Sequence, residues 1–136
     1  MSQQSTNLFV YGTLLVPAIM QRVAGERLAA TAGVLHGYVR KTVRGEVFPA
    51  IKPSPTEAVE GQLYWRLGAN AIRRLDAFEG PLYQRVEVNI ELGEGVHVAA
   101  DTYVIALRHE TWMTDIDWSL EEFRRSHRDE FERQRW

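Results

Sequence analysis

The sequence of 136 residues contains no cysteine, which excludes disulfide bonds, thiolate metal ligands and a cysteine nucleophile. It also has no excess of positive charge, since 16 Lys and Arg stand against 18 Asp and Glu, for a formal net charge of -2. Binding to nucleic acid through phosphate neutralisation is therefore not expected. No apolar run approaches the roughly 18 residues of a membrane helix, and the amino end has no signal-peptide pattern. These absences predict a soluble, cytoplasmic protein that contacts neither nucleic acid nor a membrane.

The common metal and cofactor patterns are missing as well. His109 and Glu110 begin a zinc-protease pattern, but Met113 stands where the second His would be needed. No serine lies in a nucleophile-elbow context, and no Gly-rich loop has a phosphate-binding pattern. We therefore expect neither a metal nor a cofactor.

The length and composition are those of one globular domain. Hydrophobic residues make up 45% and charged residues 25% of the chain, and a chain of this size buries about two-thirds of its unfolded surface. We predict a disordered tail over residues 1–6 and a single domain over residues 7–136.

Hydrophobic patterning predicts more strands than helices. Strands are indicated over residues 7–11, 33–43, 59–66, 83–92 and 98–107, and a hairpin turn over 93–95. Pro49 in the apolar stretch 47–51 suggests an edge strand or a turn into a pocket, while Ser54 and Pro55 suggest a loop. The fold class that follows is α+β: a small mixed, mainly antiparallel β-barrel flanked by helices.

Helices are predicted at three places. The first begins near Pro17 and stops at Gly25, and the second covers residues 69–78. The third starts at about residue 119 with a capping box from Ser119 to Glu122, next to a hydrophobic staple between Trp118 and Phe123. We expect this last helix to pack across the sheet or against a second subunit, so a homodimer stays open.

Glu79 is the first candidate for chemistry. It ends the second helix, beside Phe78 and before a Gly80-Pro81 stop. The negative end of the helix dipole and apolar neighbours both disfavour a charged carboxylate, so we expect a raised pKa. A Glu of this kind is a candidate general acid and base at neutral pH, although Glu also ends many surface helices without any special role.

Two further groups of residues are candidates for binding. The loop at residues 11–14 (YGTL) follows a strand and exposes successive backbone amides, which suit a carboxylate or an oxyanion. Tyr83 and Arg85 occupy alternate strand positions and are expected to share a face. They would help to position a charged, amide-bearing substrate, unless Arg85 forms a surface ion pair with Glu87.

Five segments occur in a characteristic order along residues 7–107. They are FVYGTL at 9–14, FPAI at 48–51, VEGQLY at 59–64, LDAFEG at 75–80 with YQR at 83–85, and TYV at 102–104. The set resembles the γ-glutamylcyclotransferase-like family, also called AIG2-like, and is most similar to its short γ-glutamylamine cyclotransferase members. The resemblance implies a small mixed barrel flanked by helices, with a cavity at one end.

The resemblance also implies roles for individual residues. Glu79 would be the catalytic residue, and Tyr103 would contact a small-molecule substrate. Substrate would bind to the loop formed by Tyr11, Gly12, Thr13 and Leu14. Phe48 and Phe78 stand where the family usually has Tyr; they lose a hydroxyl but keep the ring, which concerns substrate details more than chemistry.

The implied activity is cyclisation of a γ-glutamyl group to 5-oxoproline with release of an amine, with Glu79 as general acid and base. Two alternatives stay open. The chain is otherwise a non-catalytic module that keeps the pocket for a γ-glutamyl or amino-acid-like ligand, or it catalyses a related acyl-amide reaction on a γ-glutamylated metabolite.

Overall fold

Five strands close into a barrel in the computed structural model, which describes residues 5–135. The strands are β1 (Thr6–Val10), β2 (Ala30–Thr42), β3 (Pro49–Leu67), β4 (Tyr83–Gly93) and β5 (Val96–Ile105). Their order around the barrel is β1-β3-β2-β4-β5, and β1 and β5 close it as its parallel pair. The remaining pairs are antiparallel. The predicted mixed, mainly antiparallel barrel is confirmed.

Four α-helices accompany the barrel within residues 5–135: α1 (Pro17–Ala24), α2 (Ala69–Glu79), α3 (Leu120–Ser126) and α4 (Arg128–Arg135). Short 3₁₀ turns lie at Thr13–Leu15 and Leu107–Trp112. Pro17 starts α1 and Gly25 ends it in a left-handed conformation, as predicted. In this part of the chain, no helix has the length and apolar character to cross a bilayer.

Alternate side chains along β1 and the residue after it belong to two different cores. Leu8 and Val10 pack with the helices, whereas Phe9 and Tyr11 join the cluster that includes Leu35 and other barrel residues. This alternation is the two-residue period of a strand with both faces covered. It brings the end of β1 into contact with both cores, and the next residues form the candidate site.

The loop predicted at Ser54 and Pro55 is wrong, because β3 continues through both residues. His36 pairs with Ala58 and Tyr38 pairs with Pro53, so the single residue Gly37 lies opposite four residues, 54–57, on β3. The turn-forming residues therefore make a wide bulge in a long ribbon rather than an end to the strand. Pro49, the residue that suggested an edge or a pocket, is the first residue of β3.

The carboxyl-terminal helix is divided into two. Ser119 Oγ accepts a hydrogen bond from the Glu122 amide at 3.1 Å, which confirms the predicted cap, although the Glu122 carboxylate binds Arg125 instead of reaching back. The helical conformation is interrupted at His127, between α3 and α4. Phe123 and Phe131 pack edge to face across the break, with ring centroids 5.5 Å apart.

The tail predicted over residues 1–6 overlaps the barrel at its last residue, Thr6. Residues 1–4 lie outside the described part of the chain, and Thr6 is the first residue of β1.

We predict that Gly61→Ala destabilises the barrel. A Cβ at Gly61 would collide with the Val10 carbonyl oxygen and lie 2.7 Å from Phe9 Cζ, where β3 passes β1. Because overpacking of a core typically costs about 1–3 kcal/mol, the free energy of unfolding should fall by at least this amount in urea titrations. Gly68→Ala, where nothing lies within 4 Å, is the matched control and should cost less than about 1 kcal/mol for a changed helix cap. Equal effects of the two substitutions would contradict the packing argument.

Candidate active site

A cavity opens where the loop after β1, the start of β3 and the ends of α2 and α4 meet. Its walls are mainly aromatic, with one carboxyl group and one guanidinium group. The lining residues are Phe9, Val10, Tyr11, Gly12, Thr13, Leu14, Phe48, Pro49, Phe78, Glu79, Tyr83, Tyr103, Phe131 and Arg135. Six of the predicted binding residues and Glu79 therefore come together in one place.

The loop at residues 11–14 supplies backbone donors to this cavity. Within residues 5–135, the amides of Gly12, Thr13 and Leu14 donate no hydrogen bond to another residue. Gly12 is needed at its position because a Cβ there would lie 2.9 Å from Pro49 Cγ. The amides at the cavity wall are therefore available for an anionic group of a ligand.

Glu79 occupies the last position of α2, directly before Gly80, whose φ of 74° ends the helix. Burial of the carboxyl, assisted by nearby Asp76, raises the pKa of Glu79 to about 8, although the Arg135 guanidinium opposes this rise. The direction agrees with the sequence-based expectation. Glu79 can therefore exchange a proton near neutral pH.

The three lining tyrosines use their hydroxyl groups to join the walls of the cavity. Tyr11 donates to the Tyr103 carbonyl at 2.5 Å, and Tyr83 donates to the Pro49 carbonyl at 2.6 Å. Tyr103 in turn donates to Asp76 Oδ1 at 2.7 Å. Burial raises the pKa of each phenol, so all three are neutral hydrogen-bond donors at physiological pH.

Arg85 does not line the cavity, in contrast to Tyr83. Its Nε binds Asp76 Oδ1 at 2.9 Å, and its Nη1 binds Asp101 Oδ2 at 2.5 Å. The alternation of side chains along β4 predicted that Tyr83 and Arg85 share a face. The cavity, however, reaches only the start of the strand, where Tyr83 lies. The guanidinium fixes Asp76, which accepts the Tyr103 hydroxyl, so Arg85 contacts the site through Asp76. The ion pair with Glu87, considered from the sequence, is replaced by these two partners.

Two lining residues on α4, Phe131 and Arg135, had not been predicted as part of the site from the sequence. The Arg135 guanidinium lies 4.6 Å from the Phe78 ring centroid and 5.1 Å from that of Phe131, and its Nη1 donates to the Phe78 carbonyl at 2.9 Å. The apolar spacing of the last helix, continued four residues beyond Phe131, reaches Arg135 and was the available signal. Arg135 therefore carries positive charge to the exposed rim beside Glu79.

The chain is similar to proteins of one described family over nearly all of its length. Residues 8–134 match the family described as gamma-glutamyl cyclotransferase, AIG2-like. Protein AIG2 C of Arabidopsis thaliana is 31% identical over 129 residues, which cover 94% of this chain and 78% of that protein.

Solved structures have the same fold. A solution structure of an Arabidopsis thaliana protein is 30% identical and has a TM-score of 0.73, with 98% of this chain and 82% of that chain covered. A structure of a gamma-glutamyl cyclotransferase is 18% identical with a TM-score of 0.68, covers 76% of this chain and 68% of that chain, and supports the fold alone. Because the family model matches residues 8–134, the chain belongs to the AIG2-like gamma-glutamyl cyclotransferase family.

Proposed function

We propose that the protein is an enzyme that cyclises a γ-glutamyl group to 5-oxoproline and releases the amine of the γ-amide. The observation that carries this proposal is that Glu79, with a pKa of about 8, lines the same cavity as the amides of residues 12–14. Family membership supports cyclotransferase-like activity in general, and the two features supply the groups that this chemistry needs.

The reaction joins two atoms of one molecule. The α-amine of the γ-glutamyl group attacks its own γ-carbonyl carbon, so a C–N bond forms and the carbonyl oxygen gains negative charge. Collapse of this intermediate breaks the original amide bond. Because the nucleophile is already tethered, the protein mainly has to fold the substrate into an attack geometry, and such proximity is worth about 7–11 kcal/mol.

Glu79 moves one proton in this scheme. As a carboxylate it accepts a proton from the substrate α-ammonium, and it then donates that proton to the nitrogen of the leaving amine. The carboxylate is regenerated. The attacking nitrogen loses a second proton when the lactam forms, and the released amine takes up one proton to become an ammonium, so no net proton is consumed. A pKa near neutrality serves both transfers, since a strong acid would be a poor base and a strong base a poor acid.

The amides of the loop at residues 11–14 hold the negative charge. They bind the substrate α-carboxylate or the oxyanion that develops on the γ-carbonyl oxygen. The rings of Phe48, Phe78 and Phe131 line the remaining walls and keep water from the reacting atoms. Tyr103 and Tyr83 shape the same wall.

We predict that Glu79→Gln removes turnover and leaves the fold intact. Loss of an acid and base of this type costs about 10²–10⁴ in rate, while Gln keeps the size of the side chain. The assay incubates the protein with a panel of γ-glutamyl compounds and measures 5-oxoproline by mass spectrometry. The thermal midpoint should be retained, and binding of 5-oxoproline should persist in calorimetry.

Glu87→Gln is the control for this experiment, because Glu87 is exposed on β4, outside the cavity. It should leave turnover unchanged. Near-full turnover by Glu79→Gln would contradict the role of Glu79. Ligand binding without product by the unmodified protein would instead favour a non-catalytic binding module.

We predict that kcat/KM rises with pH to a plateau above about 8, because Glu79 accepts the first proton only as a carboxylate. Arg135 favours that carboxylate, so Arg135→Gln should raise the pKa of Glu79 and move the inflection to higher pH. The measurement is a pH profile of kcat/KM between about pH 6 and pH 10, which covers roughly two pH units on each side of the expected pKa.

Arg133→Gln is the matched control on the same helix, since Arg133 is exposed and does not line the cavity. Its inflection should coincide with that of the unmodified protein. An inflection that stays in place in Arg135→Gln would refute the electrostatic effect of Arg135 on Glu79.

A further inference from the structure

Arg40 contacts the substrate-binding loop without lining the cavity. It lies on β2, paired with Ile51 of β3, and its side chain is half-buried. Its Nη1 donates a hydrogen bond of 2.8 Å to the carbonyl oxygen of Tyr11. The next residue, Gly12, does line the cavity. The peptide group that joins Tyr11 to Gly12 therefore contacts Arg40 through its carbonyl oxygen, while its nitrogen belongs to a residue of the cavity wall.

The geometry of the peptide bond links these two contacts. In a planar trans peptide, the C=O of one residue and the N–H of the next point in opposite directions. No cis peptide bond occurs within the described part of the chain. When Arg40 holds the Tyr11 carbonyl, the Gly12 N–H must therefore point away from Arg40.

We propose that Arg40 is a positioning residue that aims the Gly12 amide into the cavity, toward the negative charge of the bound γ-glutamyl substrate. This inference rests on the proposed function. Across residues 5–135, Arg40 is the one side chain that donates to the Tyr11 carbonyl. The guanidinium is therefore what selects this orientation of the peptide over the flipped one.

The other contacts of the loop fix its position but leave this peptide orientation open. The Gly12 carbonyl accepts from the Leu15 amide at 2.9 Å, and the Tyr11 hydroxyl donates to Tyr103. Gly12 has no Cβ to resist rotation of the flanking peptides. A flipped peptide would present a carbonyl oxygen to the substrate's anion in place of a donor.

Arg40 is itself held in place by the segment before α3. Its guanidinium lies 5.4 Å from the ring centroid of Trp118, whose Nε1 donates to the Val47 carbonyl at 2.8 Å. Stacking on an aromatic ring together with a directed donor suits the planar guanidinium better than an ammonium. A charged donor also polarises the peptide, which makes the Gly12 N–H a stronger donor at its other end.

The test compares Arg40→Met and Arg40→Lys with a control, Lys41→Met. Lys41 is the next residue on β2, but it binds Asp117 and does not contact the loop. With a γ-glutamyl compound that the unmodified protein turns over, Arg40→Met should lower kcat/KM about ten- to hundredfold, because outright loss of such a donor costs about 10²–10³. Arg40→Lys should be intermediate, and Lys41→Met should resemble the unmodified protein.

Three readouts separate positioning from simple support of the fold. KM does not depend on how much enzyme is folded, so an increase in KM reports on the site. The pH inflection should stay at its unmodified value, since Glu79 is unaltered. In ¹⁵N spectra, titration with 5-oxoproline should shift the Gly12 amide in the unmodified protein and shift it much less in Arg40→Met.

Unchanged KM and an unchanged Gly12 response in Arg40→Met, or in Arg40→Lys if the Met variant does not fold, would overturn the role of Arg40 alone. Absence of 5-oxoproline production by the unmodified protein would overturn the proposed function. The Gly12 response to 5-oxoproline would still decide whether Arg40 orients the loop, because that measurement needs no turnover. Lack of any Gly12 response in the unmodified protein would overturn both.

Discussion

A short series of hydrogen bonds connects the two sides of the candidate active site. The Tyr11 hydroxyl donates to the Tyr103 carbonyl, and the Tyr103 hydroxyl donates to Asp76 on α2, one turn before Glu79. The loop after β1 and the end of α2 are thus joined through β5, although 68 positions separate Tyr11 from Glu79 in the sequence. Because the bond between the Tyr11 hydroxyl and the Tyr103 carbonyl is buried, leaving it unmade would cost more than losing an exposed hydrogen bond. The position of the Glu79 carboxyl relative to the amides of residues 12–14 depends on these contacts.

Burial gives the site its chemical character as well as its shape. The aromatic walls that remove Glu79 from water raise its pKa, and the same walls lower the local dielectric constant in which the loop amides act. Arg135 moderates this effect from the rim. With a pKa of about 8, the carboxyl is neither a permanent anion nor a permanent acid near neutral pH.

Local signals in the sequence were sufficient for much of the fold and for the two central parts of the site. Pro17 and Gly25 mark the ends of α1, and Glu79 and the loop at residues 11–14 were identified by the patterns around them. The errors arose where distant parts of the chain decide the outcome. Pro55 lies within a strand because pairing with β2 continues around it, and Arg85 binds Asp101 on the neighbouring strand. Arg135 reaches the cavity from a helix that no local pattern connects to Glu79.

The placement of α4 has a consequence for how the cavity is completed. The barrel strands end at Ile105, but Phe131 and Arg135 complete the cavity from α4. A molecule in which α4 has separated from the barrel would keep its strands and the loop at residues 11–14. Its cavity would become an open, hydrated cleft, and Glu79 would lose the nearby ring and guanidinium of that helix.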